Sequence, residues 1–259
     1  MVGHSVSSRR ITWAIASRSL MLIPRVLSTF IPSLVMPVFL TIAMAGAFSG
    51  LVLLPAFPAE KALDWFIPMT TVQGAAFAGI TTGMGLARDL DSGFYDRLLL
   101  SPATRGALLA GPIVASVLRA TIPLTLLVVI AVVSGATFHA GAATVVTLAL
   151  ASFGIALVAG AWSVGLALRF KTQQVAPLMQ TGVFLAIFLS TAQMPLEYLT
   201  GWLHAVARVN PMTNVLALAR EGFLGEITWD GTWPGLVSLA AMAALTLLFA
   251  ARQMRRVIP

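Results

Sequence analysis

Forty-nine consecutive residues, Ala120 to Leu168, contain no Asp, Glu, Lys or Arg. About 20 apolar residues cross the hydrocarbon of a bilayer as one helix, so this run holds two helices. Val26 to Ala59 is charge-free as well. Over 259 residues the chain is 58% apolar and 10% charged, against roughly 25% charged in an ordinary soluble domain, and its mean hydropathy is +0.93. No soluble core could bury so much apolar chain behind so few charges, so lipid is the solvent for most of the surface. The absence of cysteine removes disulfides, thiolate nucleophiles and cysteine metal sites together. A net charge of +7 could point to nucleic acid. The positives, however, are scattered between apolar runs instead of gathered on one face, which argues against that partner.

The charge-free runs place an all-α integral membrane fold of six transmembrane helices, at about 31 to 54, 66 to 87, 117 to 137, 143 to 168, 172 to 196 and 231 to 251. The break between the third and fourth is Thr137-Phe138-His139-Ala140-Gly141. Six spans put both termini on one side. Thirteen cations fall there (Arg9, Arg10, Arg18, Arg25, Arg88, Arg97, Arg105, Arg119, Arg169, Lys171, Arg252, Arg255, Arg256) and three on the other (Lys61, Arg208, Arg220). Positive residues stay inside, so both termini and the polar loop 88–105 are expected in the cytoplasm of a bacterial plasma membrane protein. Residues 1–25 form an interfacial segment, with a helix over 8 to 24 that turns Ile11, Ile15, Leu20 and Leu22 toward lipid. Its Ser8-Arg9-Arg10 start resembles an export signal, but Arg18, Pro24 and Arg25 interrupt the apolar core that such a signal needs. Residues 195–230, on the opposite side, are too polar to span and too apolar for a free loop. Asn210-Pro211 breaks them into two short re-entrant helices.

Catalytic signatures are missing. Neither lysine that a phosphate loop would need, Lys61 or Lys171, lies in a glycine-rich stretch, and no H-E-x-x-H or G-x-S-x-G occurs. The three histidines, His4, His139 and His204, are far apart, and no acidic residue falls within the six apolar cores. The expectation is a non-enzyme without catalytic or metal residues, moved by energy from elsewhere, since ion-coupled carriers usually need intramembrane carboxylates.

Loop 88–105 is the only long charged insertion on the inner side. Leu90, Phe94 and Leu98 recur every four residues, with Asp89, Ser92 and Asp96 behind them, and Ser101-Pro102 stops the pattern. That is a short amphipathic helix, serving either to anchor the loop at the interface or to seat it in a partner. The run from Asp89 through Asp91, Gly93, Phe94, Arg97, Leu98, Ser101, Pro102 and Arg105 to Gly111 resembles the signature of type-2 ABC exporter permeases. It is nearest their daunorubicin-resistance-like branch. A second stretch is similar to the family's outer re-entrant segment: Met194-Pro195-Leu196, then Trp202-Leu203, then Val209-Asn210-Pro211-Met212 through Arg220 and Glu221. Asp89 and Asp91 stand where many members carry glutamate, which shortens their reach.

The resemblance implies a membrane subunit that exports a hydrophobic or amphiphilic substrate, a drug or antibiotic or a lipid-like molecule. It implies two separate ATPase subunits holding the ATP and Mg, and a second permease, identical or not, with no cofactor on this chain. Asp89, Asp91, Gly93, Phe94, Arg97, Leu98, Ser101, Pro102 and Arg105 would form the ATPase-coupling helix. Pro195, Leu196, Trp202, Asn210, Pro211, Arg220 and Glu221 would form the outer gate. A permease for polysaccharides or lipid carriers is the alternative within transport, and a channel or membrane anchor without an ATPase is the alternative outside it. Phe77, Met84, Phe184 and Phe188 are candidates for a greasy substrate path. Arg119 either snorkels to the inner edge or faces a polar cavity and meets substrate. Gly46-x-x-x-Gly50 and Gly79-x-x-x-Gly83 allow close helix approach, within the chain in preference to a dimer seam.

Overall fold

The computed structural model describes residues 8–21, 27–55, 57–99 and 104–257, apart from the side chains of 27–33, 96, 97, 99 and 257. Among the described residues it is all helix, with no strand. In chain order the helices are α1 (Ser8–Met21), α2 (Leu27–Ala47), α3 (Ala62–Asp91), α4 (Phe94–Leu99), α5 (Arg105–Arg119) and α6 (Thr121–Val133). They continue with α7 (Ala142–Phe170), α8 (Ala176–Phe188), α9 (Gly201–Val209), α10 (Pro211–Leu224) and α11 (Trp229–Val257).

Three described helices are long and apolar enough to cross a membrane: Arg105–Val133, Ala142–Phe170 and Trp229–Arg256. They cover the third, fourth and sixth expected spans. The third begins near Arg105, well before 117, because only Ala120, itself in helical conformation, separates α5 from α6. The other three regions differ from a plain span. The apolar stretch Leu34–Ala47 in the first is short and gives way to a 3₁₀ turn, Ser49–Leu53. In the second, α3 is 30 residues, about 45 Å at 1.5 Å per residue, yet its middle carries Thr70, Thr71, Gln73, Gly79, Thr82 and Gly83, all buried. Other helices clothe it in place of lipid. In the fifth, α8 has only 13 residues, about 20 Å.

Helix α3 is the axis of the core. A methyl group added at Gly79 would lie 2.7 Å from the Gly160 nitrogen of α7, and one at Gly83 would strike Ser163. Ser163 Oγ donates to the Gly79 carbonyl at 3.0 Å. Beside this contact, Ser116 of α5 donates to the Ala156 carbonyl of α7 at 3.0 Å. The Gly79 pair thus packs within the chain as expected. The Gly46 pair does not, since nothing lies within 4 Å of where either side chain would be. Thr41 of α2 and Thr70 of α3 share a hydroxyl contact of 2.6 Å.

Helix α1 rests on α5, but its apolar face is turned opposite to expectation. Ile15 packs against Gly111 and Ala16 is fully buried, while Trp13 and Met21 are exposed. The small Gly111 surface is what admits the branched Ile15. Leu20 is half-buried, and Leu22 lies outside the described residues.

Candidate functional site

Two clusters gather most of the expected site residues, one at each end of α3. At the end that follows Asp91, the single amphipathic helix expected from Leu90, Phe94 and Leu98 is divided. Helix α3 runs on through Asp91, and Ser92-Gly93 separates it from the six-residue α4. Gly93 takes φ +68°, where a side chain is strained and glycine is not. Leu90 is buried, and Phe94 and Leu98 are half-buried, so the apolar stripe faces the protein core.

Both acidic residues at this joint are engaged inside the chain. Arg18 of α1 grips Asp89 with both terminal nitrogens, at 2.9 and 3.2 Å. The same guanidinium lies 4.3 Å over the Phe94 ring. Asp91 accepts from Gln173, in the turn after α7, at 3.2 Å. Tyr95 is buried with no partner for its hydroxyl; burial pushes its phenol pKa up, and the nearby Asp89 charge adds to the effect. Arg105 opens α5, whose first turn is capped by Thr104 Oγ accepting from the Ala107 N–H at 3.3 Å. Ser101, Pro102 and the Arg97 side chain lie outside the described residues.

Arg119 lies where α1, α3 and α5 meet. It is 8% exposed and donates to the Ser19 carbonyl and hydroxyl of α1. Long contacts of 3.5 Å run to the Thr81 and Thr82 hydroxyls of α3.

At the other end of α3, α8 stops early and its terminal carbonyls are met by side chains from α10. Asn210 donates to the Ala186 and Leu189 carbonyls at 2.8 and 2.9 Å, and its oxygen accepts from the Met212 N–H at 2.9 Å. One side chain therefore caps the end of α8 and the start of α10, with Pro211 at the first helical position, where its missing N–H costs nothing. Arg220, 2% exposed, donates to the Thr191 and Ala192 carbonyls at 2.7 Å each and to the Trp65 carbonyl at 3.1 Å. Its guanidinium carbon lies 3.6 Å from the centre of the Trp65 ring. Glu221 accepts from the Thr228 N–H at 2.8 Å and the Thr232 hydroxyl at 2.7 Å, joining α10 to α11. Pro195, Leu196, Trp65, Arg220, Glu221 and Glu226 are among the walls of a cleft of about 480 Å³. Trp202, by contrast, stands on α9 at 69% exposed and does not line it.

The start of α3 also holds the α6–α7 loop. Asp64 accepts from the Thr137 N–H at 2.9 Å, and Lys61 donates to the Gly135 carbonyl. Burial pushes the Asp64 carboxyl above its ordinary range, against the opposing Thr137 hydrogen bond. Between the two clusters, Phe77 of α3 meets Phe184 of α8 edge-on at 5.2 Å, and Phe184 meets Phe188 at 5.7 Å. Met84 is half-buried. Gln73, one turn before Phe77, is fully buried and its amide has no partner. Among the described residues no three His, Asp or Glu side chains are grouped to hold a metal ion.

The family model for the ABC-2 type transporter matches residues 10–224, from α1 through α10, both clusters included. The chain belongs to the ABC-2 type transporter family. This ABC-2 chain is similar to a daunorubicin resistance ABC transporter permease of Streptomyces coeruleorubidus, 26% identical over 200 residues, which are 76% of this chain and 69% of that one. It is also similar to a probable multidrug ABC transporter permease of Escherichia coli, 27% identical over 186 residues, 68% of this chain and 49% of that one. The chain spans about half the length of the latter. Several residues that hold the ABC-2 chain's clusters together carry no sequence signal. Arg18 and Asp89 are 71 positions apart, and Gln173 reads as an ordinary turn residue. Gln73 was traceable in principle, as the lone amide in an otherwise charge-free run.

Proposed function

We propose that this chain is the membrane-spanning subunit of an ATP-driven exporter that moves a hydrophobic or amphiphilic cargo, drug-like or lipid-like, outward. A separate ATPase supplies the energy and carries the ATP and Mg. A second permease, identical or different, completes the pathway, and two ATPase copies complete the machine. Both termini and the α3–α4 joint lie in the cytoplasm, as the distribution of positive residues requires, and the α8–α10 cluster faces outward as the gate.

The observation that carries this reading is the placement of both clusters on one helix. Of the residues expected to couple to an ATPase, Asp89, Asp91, Gly93, Phe94, Leu98 and the backbone of Arg97 sit at or just beyond one end of α3. Trp65, stacked under Arg220, sits at the other. Movement of α3 would therefore be felt at both clusters, and at its far end would disturb the contacts of Arg220 with the end of α8. The relatives named for daunorubicin resistance and multidrug transport favour a drug-like amphiphile. The Phe77, Phe184 and Phe188 stack gives such a cargo a continuous aromatic wall.

Phe94→Ala and Arg97→Ala should each abolish daunorubicin uptake into inverted vesicles while the protein still inserts at its normal level. Purification in gentle detergent should recover a nucleotide-binding protein. Undiminished uptake in both variants, or no recovered ATPase, would move the chain to the channel or anchor class.

A further inference from the structure

We propose that Arg18 is a positioning residue that ties the coupling helix to the rest of the bundle, an inference that rests on the exporter reading above. The covalent link between α3 and α4 is a poor lever. It consists of Ser92 and Gly93, with Gly93 in the left-handed region and nothing within 4 Å of where a side chain would be. Helix α4 has six residues, too few to be stiff on its own. A force applied to α4 would bend this joint before it moved α3.

Arg18 bridges the joint from outside. Its two terminal nitrogens grip Asp89, the last-turn residue before the joint, and its plane covers Phe94, the first residue after it. A guanidinium does both at once because its fork matches a carboxylate and its flat face fits a ring. The next residue completes the path. Ser19 gives its carbonyl and hydroxyl to Arg119, at the last turn of α5, and Arg119 reaches on to Thr81 and Thr82 of α3. Displacement of α4 is thereby delivered through Arg18 and Ser19 to the point where α5 passes into α6. Helix α1 is the transmitting element, and its exposed face carries Trp13 and Met21.

The test uses the full chain in complex with its ATPase and follows backbone hydrogen exchange with and without ATP and Mg. In the wild-type complex, nucleotide should change exchange both in α4 and in α5. In Arg18→Ala the change in α4 should persist while that in α5 is lost. ATP hydrolysed per daunorubicin taken up should rise several-fold, with membrane insertion unchanged. Arg18→Lys, which keeps the charge but not the fork or the plane, should behave like the alanine variant. Arg18→Asp combined with Asp89→Arg should recover part of the α5 response by restoring the ion pair. A nucleotide response in α5 that survives Arg18→Ala, alongside an uncoupled Phe94→Ala, overturns the role of Arg18 and leaves the exporter reading standing. No nucleotide response in the wild-type complex overturns both.

Discussion

The two ends of α3 are held by different kinds of contact. At the α3–α4 joint, the bonds run between side chains, and the Arg18 and Asp89 side chains are 45% and 27% exposed. At the α8–α10 cluster, Arg220 and Asn210 donate to backbone carbonyls, and Arg220 is out of solvent. Exposed ion pairs contribute about 0–1 kcal/mol, so water replaces them cheaply. Carbonyls left unpaired in a dry interior cost about 1–3 kcal/mol each, so the α8–α10 contacts resist opening. The lesson is one of division of labour: the α3–α4 end is held by contacts that yield easily, and the α8–α10 end by contacts that do not.

The contrast is sharpest at Arg220. Arg220→Ala strands three buried carbonyls and should destabilise the protein by about 3 kcal/mol or more, seen as loss of the folded, monodisperse species in detergent. Asn210→Ala removes a helix cap and both bonds to the end of α8. A loss of about 2 kcal/mol is expected, read from the thermal midpoint. Asp89→Asn should cost under about 1 kcal/mol, while its effect on daunorubicin uptake is large. Should Asp89→Asn unfold the chain as readily as Arg220→Ala, the two ends are alike and the contrast is broken. The smallest effect belongs to Asp64. Its raised pKa means that the folded state favours the protonated acid. Its contribution is therefore full below the ordinary carboxylate pKa and is lost as pH rises through the raised value. Asp64→Asn keeps an acceptor for Thr137 without the charge, so a modest rise in thermal midpoint at neutral pH should shrink as the pH is lowered.

Charge-free runs revealed α6, α7 and α11 because lipid solvation leaves a direct mark on composition, but not that α5 leads into α6. They said less about α8. Residues 172–196 are apolar enough to span, and the early end of the helix depends on Asn210 and Arg220, which are brought there only by the fold. The joint was hidden for the opposite reason. Leu90, Phe94 and Leu98 keep a helical period across Ser92-Gly93, so periodicity outweighed the glycine that ends α3. The two G-x-x-x-G pairs show the limit of motif reading. Gly79 and Gly83 meet α7, Gly46 and Gly50 meet nothing, and the pattern itself is the same. Asp89 and Asp91 stood out in the sequence, but the identity of their partners, Arg18 and Gln173, was set by helices packed from distant parts of the chain.

Ser163 seated on Gly79 and Ser116 seated against α7 have a mechanical consequence. With a backbone nitrogen 2.7 Å from where a methyl group at Gly79 would lie, and Ser163 closer still to one at Gly83, α3 has no clearance to slide lengthwise past α7. The two helices, with α5, interlock at these points as a keel. On the exporter reading proposed above, a passage would widen through the lighter members hung on that keel, α2 and the short α8.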